Sequence, residues 1–270
     1  EVDMKKVQLL IVCLVMLVAM GLPLFAAAQQ EESKELTFAF VPGVADPFYY
    51  TMKRGIETKA KELGVNLIVA EFPKSWGPEA QVPILEATAA RGGIDLILIA
   101  PTSVDALVAP LKKLYDQGIE IITVDTFLGN GDYSDGNAIT FPLSYIGTDN
   151  ELGGEEVAKN LAKLLGEEGD VYINTTNPDT SSVVGRVNGF TKGIDAYPNM
   201  QLAGVDYNLD VQQKAQEQTL AALQGNSNIV GIFGTNLFSA QGAYQAVVNA
   251  GLSGAVKIAS WDATQDLINA

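Results

Sequence analysis

Leu36-Thr37-Phe38-Ala39-Phe40-Val41, followed a few residues later by Asp46-Pro47-Phe48-Tyr49-Tyr50, reads as a short apolar strand that runs through a turn into a helix. Asp46 suits the capping position of that helix and Pro47 its first turn, where a missing N–H is harmless. Three aromatic rings then stand beside one carboxylate at the carboxyl end of a strand. In open α/β sheets small molecules bind in the crevice outside those strand ends. Aromatic faces with a nearby acceptor suit a hydroxylated ring that has an apolar C–H face. The plainer reading makes the same rings core residues, and the two readings are compatible.

Outward from this stretch, strand-like runs alternate with helical ones, which implies parallel sheets covered on both faces. The strands read Leu36–Val41, Val65–Ala70, Asp95–Ala100 and Ile119–Asp125, then Val171–Asn174, Leu202–Asp206, Ile229–Phe233 and Val256–Trp261. Most are short and β-branched, as buried parallel strands are. Between them, Met52, Ile56, Ala60 and Leu63 recur at helical spacing before Gly64. Thr102 or Ser103 can cap a helix with the stripe Leu107, Leu111 and Leu114, and Asp149 one with Val157, Leu161 and Leu164. From Phe127 to Pro142 the pattern dissolves into Gly, Asn, Asp and Ser before Tyr145-Ile146-Gly147 resumes extended chain. That interruption marks the passage between two lobes, 36–145 and 146–270, whose shared βαβ rhythm suggests similar units facing each other.

The N-terminal segment is expected to be a targeting signal. Lys5-Lys6 precede the apolar run Val7 to Leu24, and Ala26-Ala27-Ala28 ends it, so residues 4–28 read as a signal peptide cleaved after Ala28, with 29–35 as a linker. An uncleaved membrane anchor is the rival reading, disfavoured by the small-residue ending. Cys13, the single cysteine, lies inside the apolar run, so cleavage leaves a mature chain without a disulfide, held by its core alone.

A formal charge of −15 with no basic cluster argues against nucleic acid or an anionic membrane surface as partner. The chain has no histidine, which removes most Ser-His-Asp, Cys-His and zinc-dependent mechanisms. There is no nucleophile elbow, phosphate loop, dinucleotide fingerprint or metal-ligand cluster, so no cofactor is implied. Carboxylate-pair chemistry stays formally open, and a glycosidase is the enzymatic alternative.

If both sheets present their carboxyl ends to one cleft, its lining comes from Asp46 to Tyr50, Trp76, Asp125-Thr126, Asn174 to Thr180, Asn236 to Phe238 and Trp261-Asp262. Each has a dull explanation, because exposed strand ends favour Asn and Asp. Together they look like a hydrogen-bonding cage with aromatic walls. Arg186, in a helical stretch after Val171–Asn174, adds a donor that can fork to two hydroxyls beside Asp125 and Asp262, or else forms an ordinary surface ion pair. Trp76 either covers a guest or packs its own loop.

The order Asp46-Pro47-Phe48-Tyr49, Ile122-Thr123-Val124-Asp125, Arg186-Val187-Asn188-Gly189-Phe190, Asn236 and Trp261-Asp262 resembles the periplasmic sugar-binding proteins of ABC importers, ribose-binding type. The resemblance implies a type I periplasmic binding protein fold, α/β, with two Rossmann-like parallel-sheet lobes joined by a hinge. It places Asp46 where the family hydrogen-bonds the sugar, and Phe48 and Tyr49 where aromatics sandwich the ring. Asp125, Arg186, Asn236 and Asp262 fall on its polar ligands. Thr126 stands where ribose binders usually have an arginine, so the hydroxyl pattern read here is expected to differ from ribose. The family also returns to its first lobe through a further strand carrying a glutamine. The chain ends at Ala270, soon after Asp262, so the expectation is that this C-terminal segment is missing and that the chain as it stands is poorly stable and binds weakly.

The resemblance implies an exported, monomeric, non-enzymatic binding protein that captures a monosaccharide or polyol and hands it to an ABC transporter permease. The alternative role is a sensor presenting a sugar-like signal to a chemoreceptor or histidine kinase. A sugar-responsive repressor shares the lobes but begins with a basic DNA-binding module, where this chain begins with an export signal.

Overall fold

The computed structural model describes residues 35–269. The proposed signal peptide and nearly all of its linker lie outside these residues. The elements run β1 (Thr37–Val41), α1 (Pro47–Leu63), β2 (Asn66–Val69), α2 (Pro78–Ala89), β3 (Leu96–Ile99), α3 (Val108–Tyr115), β4 (Glu120–Val124) and β5 (Ser144–Ile146). They continue as α4 (Asn150–Leu164), β6 (Gly169–Thr175), α5 (Ser181–Ile194), β7 (Met200–Tyr207), α6 (Gln212–Gly225), β8 (Ile229–Gly234), α7 (Leu237–Asn249), β9 (Lys257–Ser260) and α8 (Gln265–Asn269). All eight strand expectations are met.

The strands form a five-stranded sheet, β2-β1-β3-β4-β5, and a four-stranded sheet, β7-β6-β8-β9, each parallel throughout. Each sheet has its first strand inside, its second outside on one flank and its third on the other. The order therefore reverses beside β1 in one lobe and beside β6 in the other, where doubly wound sheets open their ligand crevice.

Strand alternation decides which face each residue serves. In β1, Ala39 and Val41 join a core with Ile97, Ile99, Leu107, Leu111 and Ile121, while Phe40 faces the opposite layer with Tyr49, Val124, Met52 and Ile56. In β6, Val171 and Ile173 pack with Leu161, Phe190 and Phe233, and Tyr172 with Ile232 and Val247. The anticipated stripes mostly supply these layers, but Leu63 and Leu164, at the last turns of α1 and α4, are exposed.

Three local expectations need correction. α3 starts at Val108 rather than beside Thr102, because Ser103 Oγ caps the preceding turn instead, accepting from Ala106 N at 3.1 Å. α2 was not anticipated, since Pro83 inside it breaks the helical signal. Its Gln81 is fully buried, donating to the carbonyls of Pro42 at 3.0 Å and Ala100 at 2.7 Å, and so ties together the chain leaving β1 and β3. Finally, Ile146 pairs with Val124 in the first sheet, so the passage to the second lobe begins one residue later than the expected boundary at 145.

The closest packing between elements is α4 on α5. A Cβ at Gly189 would press into the Glu151 carbonyl oxygen, and one at Gly154 into that of Arg186. Gly189→Ala should therefore destabilise the protein by about 1–3 kcal/mol through overpacking. Gly55→Ala, on an exposed face of α1 with open space around it, should instead stabilise by up to about 1 kcal/mol through helix propensity. Denaturant unfolding of the two variants checks the opposite signs.

Candidate functional site

Asp46 caps α1 as expected, its Oδ1 accepting from Tyr49 N at 2.8 Å. The cap fixes the first turn, which turns Tyr49 inward at 2% exposure and leaves Phe48 edge-on against it, ring centroids 5.1 Å apart. Trp76, from the loop after β2, stacks against Tyr49 with ring centroids 6.3 Å apart. Gly43 makes room for both, because a Cβ there would meet the Trp76 ring and the Tyr49 hydroxyl. The indole Nε1 of Trp76 is buried with no hydrogen-bond partner among the described residues. Tyr50 turns away and stacks on Phe72 at 4.6 Å.

Asp125 follows β4 in a left-handed backbone conformation, φ 62°, that few non-glycine residues adopt. Two contacts hold it there: its N–H donates to Ile146 O and its carbonyl accepts from Tyr145 OH, both at 2.9 Å. Its carboxylate accepts from Tyr49 OH at 2.7 Å. Thr126 is different. It is fully buried, its Oγ1 donates to Pro101 O at 2.7 Å, and it is not part of the cavity lining, so its expected ligand role gives way to bracing the strand ends.

From the second lobe, Arg186 projects from α5. Its Nε donates to Asn150 Oδ1 at 2.9 Å and its Nη1 to Thr235 O at 2.7 Å, while its Cζ lies 4.1 Å from the centroid of the Trp261 ring. Nη2 has no partner among the described residues. Asn236 caps α7, its Oδ1 accepting from Ser239 N at 3.2 Å. Between the lobes, Val104 N donates to Asp179 O at 3.3 Å and Phe127 N to Ser181 Oγ at 2.9 Å, so the two halves touch.

These side chains line one cavity with about 460 Å³ of empty space, part of it open to solvent. Asp46, Phe48, Tyr49, Trp76 and Asp125 contribute from one lobe, and Thr176, Thr180, Arg186, Asn236 and Asp262 from the other. Eight of the nine anticipated site residues meet there, Thr126 being the exception. Asp210 also lines the cavity and was missed. It lies just past the carboxyl end of β7, and the same strand-end rule that found the others, applied to that strand, would have found it.

The cavity brings four carboxylates to one guanidinium. Burial pushes Asp46 up to about 7, opposed by the Tyr49 N–H and reinforced by Asp210, Asp262 and Asp125. Burial likewise lifts Asp210 to about 6, partly offset by the Asn236 amide. Asp125 and Asp262 are raised by burial and pulled back, among other contacts, by Arg186. Burial lowers Arg186 against the attraction of Asp125 and Asp262, and the group stays charged.

Two lobes of parallel sheet, meeting at their strand ends around a polar cavity with aromatic walls, define a solute-binding protein. The periplasmic binding protein domain family matches residues 38–270, and the chain belongs to that family. It is 30% identical over 222 residues to the D-allose-binding periplasmic protein of Escherichia coli, covering 81% of this chain and 70% of that one. To the ribose import binding protein of Escherichia coli it is 27% identical over 264 residues, covering 98% and 82%. An ABC transporter solute-binding protein from Agrobacterium vitis, solved with α-D-tagatopyranose, superposes with a TM-score of 0.84 at 40% identity, covering 87% of this chain and 79% of that one. A counterpart from Actinobacillus succinogenes with bound D-allose gives 0.74 at 29% identity, covering 87% and 81%.

The raised carboxylates make a pH prediction. Above the ordinary carboxylate pKa of about 4 the folded protein holds protons that the unfolded chain has lost, so these groups favour the folded state increasingly as pH falls from about 7 towards 4. The ligand-free melting temperature should therefore be a few degrees higher at pH about 5.5 than at about 7.5. Asp46→Asn, which keeps the cap, should flatten that difference in thermal scans.

Proposed function

We propose that the protein captures a monosaccharide or polyol in the cleft between its lobes and delivers it, as a monomer outside the cytoplasm, to the permease of an ABC importer. The observation that carries this reading is the convergence on one cavity of Phe48, Tyr49 and Trp76 with carboxylates from both lobes and with Arg186, whose Nη2 has no partner among the described residues. Aromatic faces cover the C–H side of a sugar ring, and the charged groups take its hydroxyls in charge-assisted hydrogen bonds. A guest that touches both lobes only when they are closed favours closure by its differential affinity for that state. No covalent step is needed, and the export signal of residues 4–28 supplies the route out. The relatives solved with D-allose and tagatopyranose support a pyranose-sized guest.

A thermal-shift screen against pentoses, hexoses and polyols, with D-tagatose, D-allose and D-ribose among them, tests this directly. A ligand that binds only the native state raises the melting temperature. The raised temperature should be lost in Arg186→Ala, whose affinity in calorimetry should fall by roughly 10²-fold or more because Asp125 and Asp262 lose their counter-charge. No shift with any member of the panel, at sugar concentrations high enough to reveal weak binding, would refute the reading.

A further inference from the structure

Asp210 reaches the cavity through an unfavourable piece of backbone. Leu209 and Asp210 are both left-handed, φ 58° and 62°, and Leu209 is 57% exposed, so no burial of its side chain explains the conformation. The kink is held by Asn208, which is fully buried and does not line the cavity. Its Oδ1 accepts from Asp210 N at 2.7 Å. Its Nδ2 spends both hydrogens, on Asn174 Oδ1 at 2.6 Å and Ser239 Oγ at 2.7 Å. Ser239 Oγ donates in turn to Asn236 Oδ1, and Asn236 Nδ2 donates to Asp210 Oδ1 at 2.6 Å. The hydrogen bonds close a ring, Asn208 to Ser239 to Asn236 to Asp210 and back.

We propose that Asp210 is a specificity-determining acceptor for one hydroxyl of the guest, and that Asn208 is the residue that positions it. The inference rests on the sugar reading above and deepens it. With Oδ1 held by Asn236, Oδ2 is the oxygen left for a guest donor. A guest lacking a donor at that point leaves a buried carboxylate unpaired, the kind of contact that separates close analogues most sharply. The backbone strain agrees: a left-handed leucine and aspartate in succession aim a carboxylate, and they are kept by the ring around Asn208 together with Leu209 N, which donates to Thr176 O at 2.8 Å.

Calorimetry of the wild type, Asp210→Asn and Asn208→Ala against a panel of monosaccharides, with the epimers and monodeoxy analogues of the best binder, tests this. Asparagine tolerates the left-handed backbone, keeps an acceptor for Asn236 and removes a carboxylate that burial penalises, so Asp210→Asn should fold with a melting temperature at neutral pH no lower than that of the wild type. Its affinity for the preferred sugar should fall by about 10- to 100-fold, while one monodeoxy analogue loses little, so that the preference between the two collapses. Asn208→Ala should reduce the same preference, whereas a uniform loss across all sugars would mark a merely structural role and overturn the positioning claim. If Asn208→Ala does not fold, Ser239→Ala, which opens the same ring, tests the positioning claim in its place, and Asp210→Asn decides the acceptor claim. Wild-type binding together with unchanged affinity and rank order in Asp210→Asn overturns the inference and spares the sugar reading. A wild type that binds no sugar overturns both.

Discussion

One guanidinium, Arg186, stands among four cavity carboxylates, and the arrangement around it follows from that imbalance. A buried charge without support would be expelled or neutralised. Arg186 is supported on three sides: the Asn150 amide, the Thr235 carbonyl and the face of Trp261. The carboxylates share what remains, and burial drives Asp46 and Asp210 towards neutrality. A cavity of this kind suits an uncharged guest rich in hydroxyls, which accepts from the guanidinium and donates to the carboxylates without adding a charge of its own.

The framework is shaped to deliver those groups. Gly154 and Gly189 let α4 and α5 approach until their backbones nearly touch, which brings Asn150 on one helix within reach of Arg186 on the other. Gly153 leaves space for the Trp261 ring that backs the guanidinium. On the opposite side, Gly43 leaves space for Tyr49 and Trp76. Asp125, following β4, and Asp210, beyond β7, both line the cavity in left-handed backbone, a conformation shared among the described non-glycine residues only by Leu209, beside Asp210, and Glu167.

Much of this was legible in the sequence because the signals were local. An apolar β-branched run specifies a buried parallel strand whatever surrounds it, and Asp46-Pro47 specifies a helix start. Residues just past such strands are exposed to a cleft by topology, which is why Asp46, Asp125, Asn236 and Asp262 could be named together. What failed depended on distant partners. Thr126 has the same local setting as Asp125, yet the Pro101 carbonyl captures its hydroxyl. The aim of Asp210 comes from Asn208, Ser239 and Asn236, on three different segments, and no window of sequence shows that ring. α2 escaped notice because Pro83 interrupts it, although it carries the glutamine that ties the chain beyond β1 to the chain beyond β3.

The chain has two tryptophans, Trp76 on one wall of the cavity and Trp261 behind Arg186 on the other. Fluorine NMR of fluorotryptophan-labelled protein, titrated with a sugar that binds, follows both lobes in one sample. A guest held between the lobes should move both resonances along a single isotherm. Movement of one resonance while the other stays fixed at saturation would contradict the account, because the guest would then touch one lobe alone.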